Sequence, residues 1–234
     1  MTAQVTGDDT AHQWSRRTVL RGTTAVGLGA ASIGGLLSLS ACGPRATEAG
    51  EDARALEGAL LGNVLAKPTE VLVDTAGEPF DLVADTADRL SLWFFGFSNC
   101  PDICPVHLGV LAAALDEVSG PAKAAQVCFI GVDTRRDTPS RLREYLDTFD
   151  KDFVGLTGPD EILERAQAAL GLPSPTFGEP DAEGNYTVGH ASQILAFTKD
   201  NQCHVVYPFG TRRQTWLRDL PLLATMSWTG VPAT

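Results

Sequence analysis

The hydrophobic pattern of the chain is centred on an almost unbroken apolar run at residues 90–97. A run of this length, rich in aromatic residues, is typical of a strand that is buried on both faces. Beyond Pro105, apolar residues recur at helical spacing, and a second apolar run follows at residues 126–133. A strand, a helix and a second strand in this order predict a βαβ unit with parallel strands.

The remaining segments extend this unit into a larger α/β domain. Residues 70–80 predict a hairpin with Gly77 in its turn, and residues 171–185, rich in Pro and Gly, predict a long exposed loop. The other predicted elements are helices that open at Thr138, Gly158 and Thr211 and strands at residues 186–188, 193–198 and 204–207. The predicted fold is α/β, a thioredoxin-like central sheet flanked by helices, with an N-terminal hairpin.

Two cysteines, Cys100 and Cys104, lie where the first strand gives way to the helix. Unpaired N–H groups at a helix start carry partial positive charge, which favours the thiolate form of both residues. On one helical face their Cβ atoms would be about 5–6 Å apart, wider than the roughly 3.5–4.5 Å of a disulfide. A metal ion could bridge that gap. A disulfide would need residues 101–103 to form a turn, which Pro101 permits, so both chemistries stay open.

The N-terminal segment resembles an export signal. Arg16 and Arg17 precede a Gly- and Ala-rich apolar stretch, as in a twin-arginine signal, and residues 39–43 resemble a bacterial lipobox, in which Cys42 becomes lipid-modified. We therefore expect a signal peptide at residues 1–41, a flexible tether at 42–66 and the domain at 67–226. An uncleaved anchor helix at residues 19–39 is the alternative. Both place the domain on the extracytoplasmic face of the cell membrane.

Size and charge narrow the class of protein further. The chain has 234 residues, of which 44% are hydrophobic, enough for one domain with a well-filled core. Its net charge is −11, and it contains no basic run and no stretch in which basic and aromatic residues alternate. These features argue against a protein that binds nucleic acid.

Four segments together resemble the Sco/SenC family of copper-site assembly proteins. They are residues 96–105 (GFSNCPDICP), residues 132–139 (VDTRRDTP), the region around His190, and the hairpin at residues 74–80. The resemblance covers about residues 67–223. It implies that Cys100, Cys104 and His190 bind one copper ion. It also implies a membrane-tethered metallochaperone, rather than an enzyme, that delivers copper to the dinuclear copper centre of cytochrome c oxidase subunit II or keeps its cysteines reduced. The resemblance does not identify the donor that supplies copper to this protein.

The chemistry of these residue types agrees with the copper site that the resemblance implies. Two thiolates select Cu(I), and one imidazole lets the same site hold Cu(II) in a different geometry. Asp133 follows the second strand at the same sheet edge, where it could orient a ligand or take a proton, or serve as an ordinary capping carboxylate. Gly189 departs from the family, which usually has an acidic residue just before the histidine.

Other cysteines and histidines are expected to have structural roles. Cys128 lies in an apolar strand and is expected to be a buried small hydrophobe. Cys203 and His204 are adjacent on a strand, so they point to opposite faces and rarely bind one ion. His107 is either a competing ligand or a surface residue.

Two other functions are compatible with the thiol pair. One is a thiol-disulfide oxidoreductase that uses Cys100 and Cys104 as its redox-active pair without a required metal. The other is zinc binding by Cys100, Cys104 and His190. A structural zinc normally has a fourth protein ligand, however, and the sequence does not supply one.

Overall fold

The computed structural model describes residue 53 and residues 55–228. The expected signal peptide and the lipidation site at Cys42 therefore lie outside the described residues. Within the part that is described, no helix combines the length and the apolar character that crossing a bilayer requires.

The described chain alternates strands and helices. Its strands are β1 (Ala59–Ala66), β2 (Val71–Asp74), β3 (Pro79–Asp81), β4 (Ser91–Gly96), β5 (Gln126–Gly131), β6 (Val154–Thr157), β7 (Thr176–Phe177), β8 (Val188–Gly189), β9 (Ile194–Phe197) and β10 (Gln202–Tyr207). Its helices are α1 (Ile103–Glu117), α2 (Pro139–Leu146), α3 (Asp160–Ala169) and α4 (Arg213–Thr225), with a short 3₁₀ helix at Gly120–Ala124.

Eight of these strands form one sheet in the order β1-β10-β9-β4-β5-β6-β2-β3, and β7 and β8 form a separate pair. Strands β4, β5 and β6 run parallel, and the other neighbours in the sheet run antiparallel. All six residues of β4 are buried, which requires cover on both faces of the sheet. The predicted βαβ unit and the predicted thioredoxin-like α/β fold of the domain are both confirmed.

The start of α2 is set by the predicted local signal, whereas the last helix begins at Arg213 rather than at the predicted Thr211. The Thr138 hydroxyl accepts a hydrogen bond from the Arg141 backbone N–H at 3.3 Å, and Pro139 occupies the first helical position of α2. The hairpin of β2 and β3 also forms where it was predicted, with Gly77 at a positive φ of 85° in its turn. Through β2, this hairpin joins the sheet at β6.

The prediction of a flexible tether at residues 42–66 is wrong at its C-terminal end. Residues Ala59–Ala66 form β1, which pairs with β10. A buried carboxylate fixes the chain just before this strand. Asp219 on α4 is fully buried and accepts hydrogen bonds from the backbone N–H groups of Glu57 (2.9 Å) and Gly58 (3.0 Å). It also accepts one from the Tyr207 hydroxyl at 2.8 Å. A polar residue far along the chain thus holds the entry to β1 in place.

Two short strands were not predicted. Strand β6 has four residues, between a helix and a turn, and it is held by pairing with β5 on one side and β2 on the other. Strand β7 lies inside the predicted loop at residues 171–185 and pairs with β8. Neither is long enough to show an alternating pattern, so their pairing partners, rather than their own sequences, determine them.

The sheet topology brings distant segments to one edge. Because β4 and β5 are parallel, the loops that follow them leave the sheet at the same edge. Strand β9 is antiparallel to β4, with Ile194 opposite Phe94, so the chain that enters β9 arrives at that same edge. Cys100, Asp133 and His190 all lie in these three connections.

Candidate metal centre

The two cysteines lie on a tight turn between β4 and α1. The Cys100 N–H donates to the Phe97 carbonyl at 3.1 Å, and α1 begins only at Ile103, with Asp102 as its N-cap. The segment around Pro101 is therefore a turn, as the disulfide alternative required, rather than regular helix. The Cys104 backbone N–H donates to the Cys100 sulfur at 3.4 Å. Cys100 thus accepts one of the unpaired N–H groups at the start of the helix.

Gly96 at the end of β4 makes room for the second sulfur. A Cβ atom at this position would lie 2.9 Å from Cys104 Sγ and 2.8 Å from the Phe129 ring, closer than real Cβ contacts allow. Any larger residue would push the sulfur or the ring aside. The sequence signal was a glycine at the end of an apolar strand, which marks a close approach of another group.

The imidazole of His190 is oriented by backbone carbonyl groups. Its Nδ1 atom lies 2.8 Å from the Phe95 carbonyl oxygen and 2.7 Å from that of Ala191. Two acceptors at Nδ1 require the hydrogen to be on this nitrogen, which leaves the lone pair on Nε2. Nε2 lies 3.7 Å from Cys104 Sγ. The Phe97 ring packs edge-on against the imidazole, with ring centroids 5.5 Å apart.

These three side chains form a compact set of ligand atoms. One ligand atom from each of Cys100, Cys104 and His190 lies within 4.8 Å of the others. Metal–sulfur and metal–nitrogen bonds of about 2.3 and 2.0 Å at an angle of about 120° would separate sulfur from nitrogen by about 3.7 Å. The observed separation of Cys104 Sγ and His190 Nε2 has this value. The site therefore fits a soft metal ion with two sulfur ligands and one nitrogen ligand.

The two thiols differ in acidity. A hydrogen bond from the Cys104 side chain, with further ones from backbone N–H groups, lowers the pKa of Cys100 to about 5 although partial burial opposes this. Burial and the neighbouring Cys100 raise the pKa of Cys104 well above its ordinary value. The expectation that both residues favour the thiolate is therefore wrong for Cys104. Its sulfur has no exposed surface and lies behind Gly96.

Asp133 does not touch the three ligands but holds the loop that carries His190. Its buried carboxylate accepts a hydrogen bond from the Tyr186 hydroxyl at 2.8 Å and another from Arg136 Nε. The Arg136 guanidinium covers the Tyr186 ring at 3.7 Å and donates to the Tyr186 carbonyl at 3.2 Å. Tyr186 precedes His190 by four residues, so this cluster fixes the approach of the chain to the site.

Asp137 has a role that the sequence did not reveal. Its buried carboxylate accepts hydrogen bonds from the backbone N–H groups of Ser98 (2.9 Å) and Asp133 (3.2 Å). It thereby ties the cysteine turn to the end of β5. Burial raises its pKa.

Gly189 has a packing role in this chain. It is paired with Thr176 in the small β7–β8 sheet, and a Cβ atom at position 189 would lie 2.5 Å from the Thr176 hydroxyl oxygen. The Thr176 hydroxyl therefore occupies the space that a side chain at this position would need. The residue before the histidine supplies no carboxylate, and backbone carbonyls orient the ring instead.

The other thiols and imidazoles among the described residues lie outside this group. Cys128 and Cys203 are fully buried, and burial raises the pKa of each to about 12. His204 bonds to Asp200 at 2.8 Å and stacks on Trp228. His107 is buried between Phe94 and Phe209, and burial lowers its pKa. It is neither a surface residue nor a member of the three-residue set.

The site opens into a cleft of about 650 Å³ between the cysteine turn and the loop that precedes β9. Both Cys100 and His190 line it, together with the apolar residues Phe97, Ile103 and Val188. Cys104 does not, so the sulfur that faces the cleft is that of Cys100.

The fold and the site define a thioredoxin-like protein in which a dithiol turn and a distant histidine form a candidate three-ligand metal site. The chain belongs to the SCO1/SenC family, whose model matches residues 67–224. It is 33% identical over 121 residues to an SCO2-like protein of Rickettsia felis, a match that covers 52% of this chain and 58% of that protein. The matched segment thus spans little more than half of that relative.

Solved structures show the same fold. Bradyrhizobium japonicum ScoI with copper bound is 25% identical, with a TM-score of 0.61, and the match covers 68% of this chain and 99% of that one. BsSco, described as a member of the Sco family of cytochrome c oxidase assembly proteins with a disulfide switch, is 18% identical. It has a TM-score of 0.54, and the match covers 74% of this chain and 99% of that one.

The acidity of Cys100 gives a testable pH dependence. Because its pKa is lowered to about 5, Cys100 is a thiolate at pH 6.5, where an ordinary thiol is protonated. We expect the rate of alkylation by iodoacetamide to rise through a midpoint near this pKa, with modification confined to Cys100. In Cys104→Ala the midpoint should move up, because the main hydrogen-bond donor is lost. A midpoint above about pH 8 in the unmodified protein would contradict the assignment.

Proposed function

We propose that this protein is an extracytoplasmic copper chaperone. In this role it carries copper on Cys100, Cys104 and His190 and delivers it to the dinuclear copper centre of cytochrome c oxidase subunit II, or keeps the cysteines of that centre reduced. The observation that carries the proposal is the convergence of one imidazole Nε2 and two sulfurs within 4.8 Å. Family membership and the copper-bound structure of a relative support the choice of metal.

The three ligands suit a cargo that must be released. Cys100 faces the cleft and is held as a thiolate, so it is the ligand that a partner's sulfur reaches first. Cys104 lies in the core, where it keeps its position throughout an exchange. The carbonyl acceptors at His190 Nδ1 place a hydrogen on that nitrogen, so the Nε2 lone pair is the one directed at the ion. A soft dithiol site with one imidazole binds copper in both oxidation states, which allows delivery and reduction at one site.

Copper binding is tested by absorption spectroscopy. Addition of Cu(II) to the protein should produce sulfur-to-copper charge-transfer bands, because a thiolate and an imidazole bind the ion together. These bands should disappear in Cys100→Ser and in His190→Ala. The matched controls are Cys128→Ala and His204→Ala, which remove a thiol and an imidazole outside the site and should retain the bands. Unchanged bands in His190→Ala would exclude the three-ligand site.

A second function is favoured by the arrangement of the thiols. The Cys100 thiolate faces the cleft and can attack a partner disulfide, which forms a mixed disulfide and releases one partner thiolate. Cys104 then attacks Cys100 Sγ, releases the second partner thiol and leaves a Cys100–Cys104 disulfide, so the partner gains two electrons and the chain loses two. If thiol-disulfide exchange alone is the function, the His190→Ala variant should reduce a partner disulfide as fast as the unmodified protein does.

The proposed position is a lipid anchor on the extracytoplasmic face of the cell membrane. Support comes from the twin-arginine pattern, the lipobox that ends at Cys42 and a SCO1/SenC family structure from Bacillus anthracis that is described as a lipoprotein. In Cys42→Ala the acceptor of the lipid is gone, and the protein should move from the membrane fraction to the soluble extracytoplasmic fraction. Retention of this variant in the membrane would favour the uncleaved anchor helix.

We also propose that Asp133 acts on the metal site through Tyr186. Loss of the Tyr186 hydroxyl in Tyr186→Phe should loosen the loop that carries His190 and weaken Cu(II) binding by about tenfold, with shifted charge-transfer bands. Tyr145→Phe is the control, since the Tyr145 hydroxyl is buried near the same site and has no hydrogen-bond partner among the described residues. If Tyr186→Phe has the same absorption spectrum and the same Cu(II) affinity as the control, Asp133 has no influence on the metal site.

A further inference from the structure

Exposed apolar side chains lie close to the thiols. Among the described residues, five large hydrophobic side chains are exposed, and two of them, Val106 and Phe177, belong to segments that border this site. Val106 is two residues beyond Cys104 in α1. Phe177 pairs with Val188, which lines the cleft. Apolar groups gathered at one end of a domain mark a surface that another molecule covers.

The mouth of the cleft is acidic. Asp102, Glu179 and Asp181 line it. Asp181 accepts backbone hydrogen bonds from Glu183 and Asn185, whereas the Glu179 carboxylate has no hydrogen bond or ion pair with any described residue. The Glu179 carboxylate is therefore available to an incoming group.

Two arginine side chains lie near this rim. The Arg136 guanidinium is paired with the buried Asp133 carboxylate and lies flat on the Tyr186 ring. The Arg135 guanidinium is 5.8 Å from the Phe177 ring centroid. Neither residue lines the cleft. The cleft is therefore lined by three carboxylates and by no Lys or Arg side chain.

We propose that the cleft docks an extended segment of the partner protein in which a cysteine is flanked by Lys or Arg and by an apolar side chain. This inference rests on the proposed function, since it names the chemistry of the partner at the same site. The cysteine reaches Cys100, the apolar side chain covers the floor formed by Phe97, Ile103 and Val188, and the basic side chain lies against Glu179. Opposite charges at the rim speed the encounter and set its orientation.

The probes are synthetic peptides of equal length with one cysteine activated as a mixed disulfide with thionitrobenzoate. One peptide has Lys on both sides of the cysteine, and the other has Glu. The Cys100 thiolate attacks the peptide sulfur, which forms a Cys100–peptide disulfide and releases the coloured thionitrobenzoate anion. At low ionic strength we expect the Lys peptide to react roughly tenfold faster than the Glu peptide, and the difference to shrink to about twofold in about 1 M salt.

Substitutions at the rim separate docking from the reactivity of Cys100. Glu179→Gln should lower the rate with the Lys peptide about threefold at low ionic strength, while Glu164→Gln, an exposed acid on α3 outside the cleft, should leave it unchanged. Dithiodipyridine, a small disulfide without charge, should react equally with all three proteins.

Equal rates for the two peptides at low ionic strength, or the same rate loss in both variants, would overturn the proposal. Glu179→Gln should keep its copper charge-transfer bands. If the preference for the Lys peptide is absent while these bands are intact, the docking chemistry alone is wrong. If the unmodified protein does not bind copper, the proposed function alone is wrong.

Discussion

The arrangement of the site depends on the hydrogen bond between His190 Nδ1 and the Phe95 carbonyl oxygen. The ladder between β4 and β9 ends at the pair Phe94–Ile194, so the next carbonyl on β4, that of Phe95, lies beyond the partner strand. A buried carbonyl needs a donor, and the imidazole supplies it at 2.8 Å. The same bond fixes the hydrogen on Nδ1 and directs the Nε2 lone pair toward Cys104. The end of a β-ladder thus sets the tautomer and direction of the imidazole in the candidate site.

The two sulfurs have different environments because they belong to different parts of one turn. Cys100 lies before the first helical residue, where backbone and side-chain donors stabilise its negative charge. Cys104 lies inside α1, under Gly96, where loss of solvent makes a charge costly. A turn of this kind presents one reactive sulfur to the cleft and keeps the other buried in the core. Copper exchange and disulfide exchange both need that division, so the turn alone does not choose between them.

The part of this structure that could be predicted is the part that local pattern determines. Strands β4 and β5, the N-cap at Thr138 and the position of the cysteine pair follow from short stretches of sequence. His190 was assigned only through the family resemblance, because it lies 86 residues from Cys104 and has no local signal of its own. Strands β1 and β6 depend on partners far along the chain. The contact of Asp137 with Ser98 spans 39 residues. The raised pKa of Cys104 depends on burial, which only packing reveals.

The three ligands are held with unequal rigidity. Both cysteines sit between β4 and α1, whose residues are largely in the core. His190 ends a segment in which residues 178–185 are exposed and which is anchored by polar contacts of Tyr186 and by two residue pairs of β7 and β8. Local opening costs least where few apolar groups are buried. Displacing the imidazole therefore costs less free energy than displacing either sulfur. In the copper transfer that we propose, this difference would let the coordination change at His190 while the dithiol stays in place.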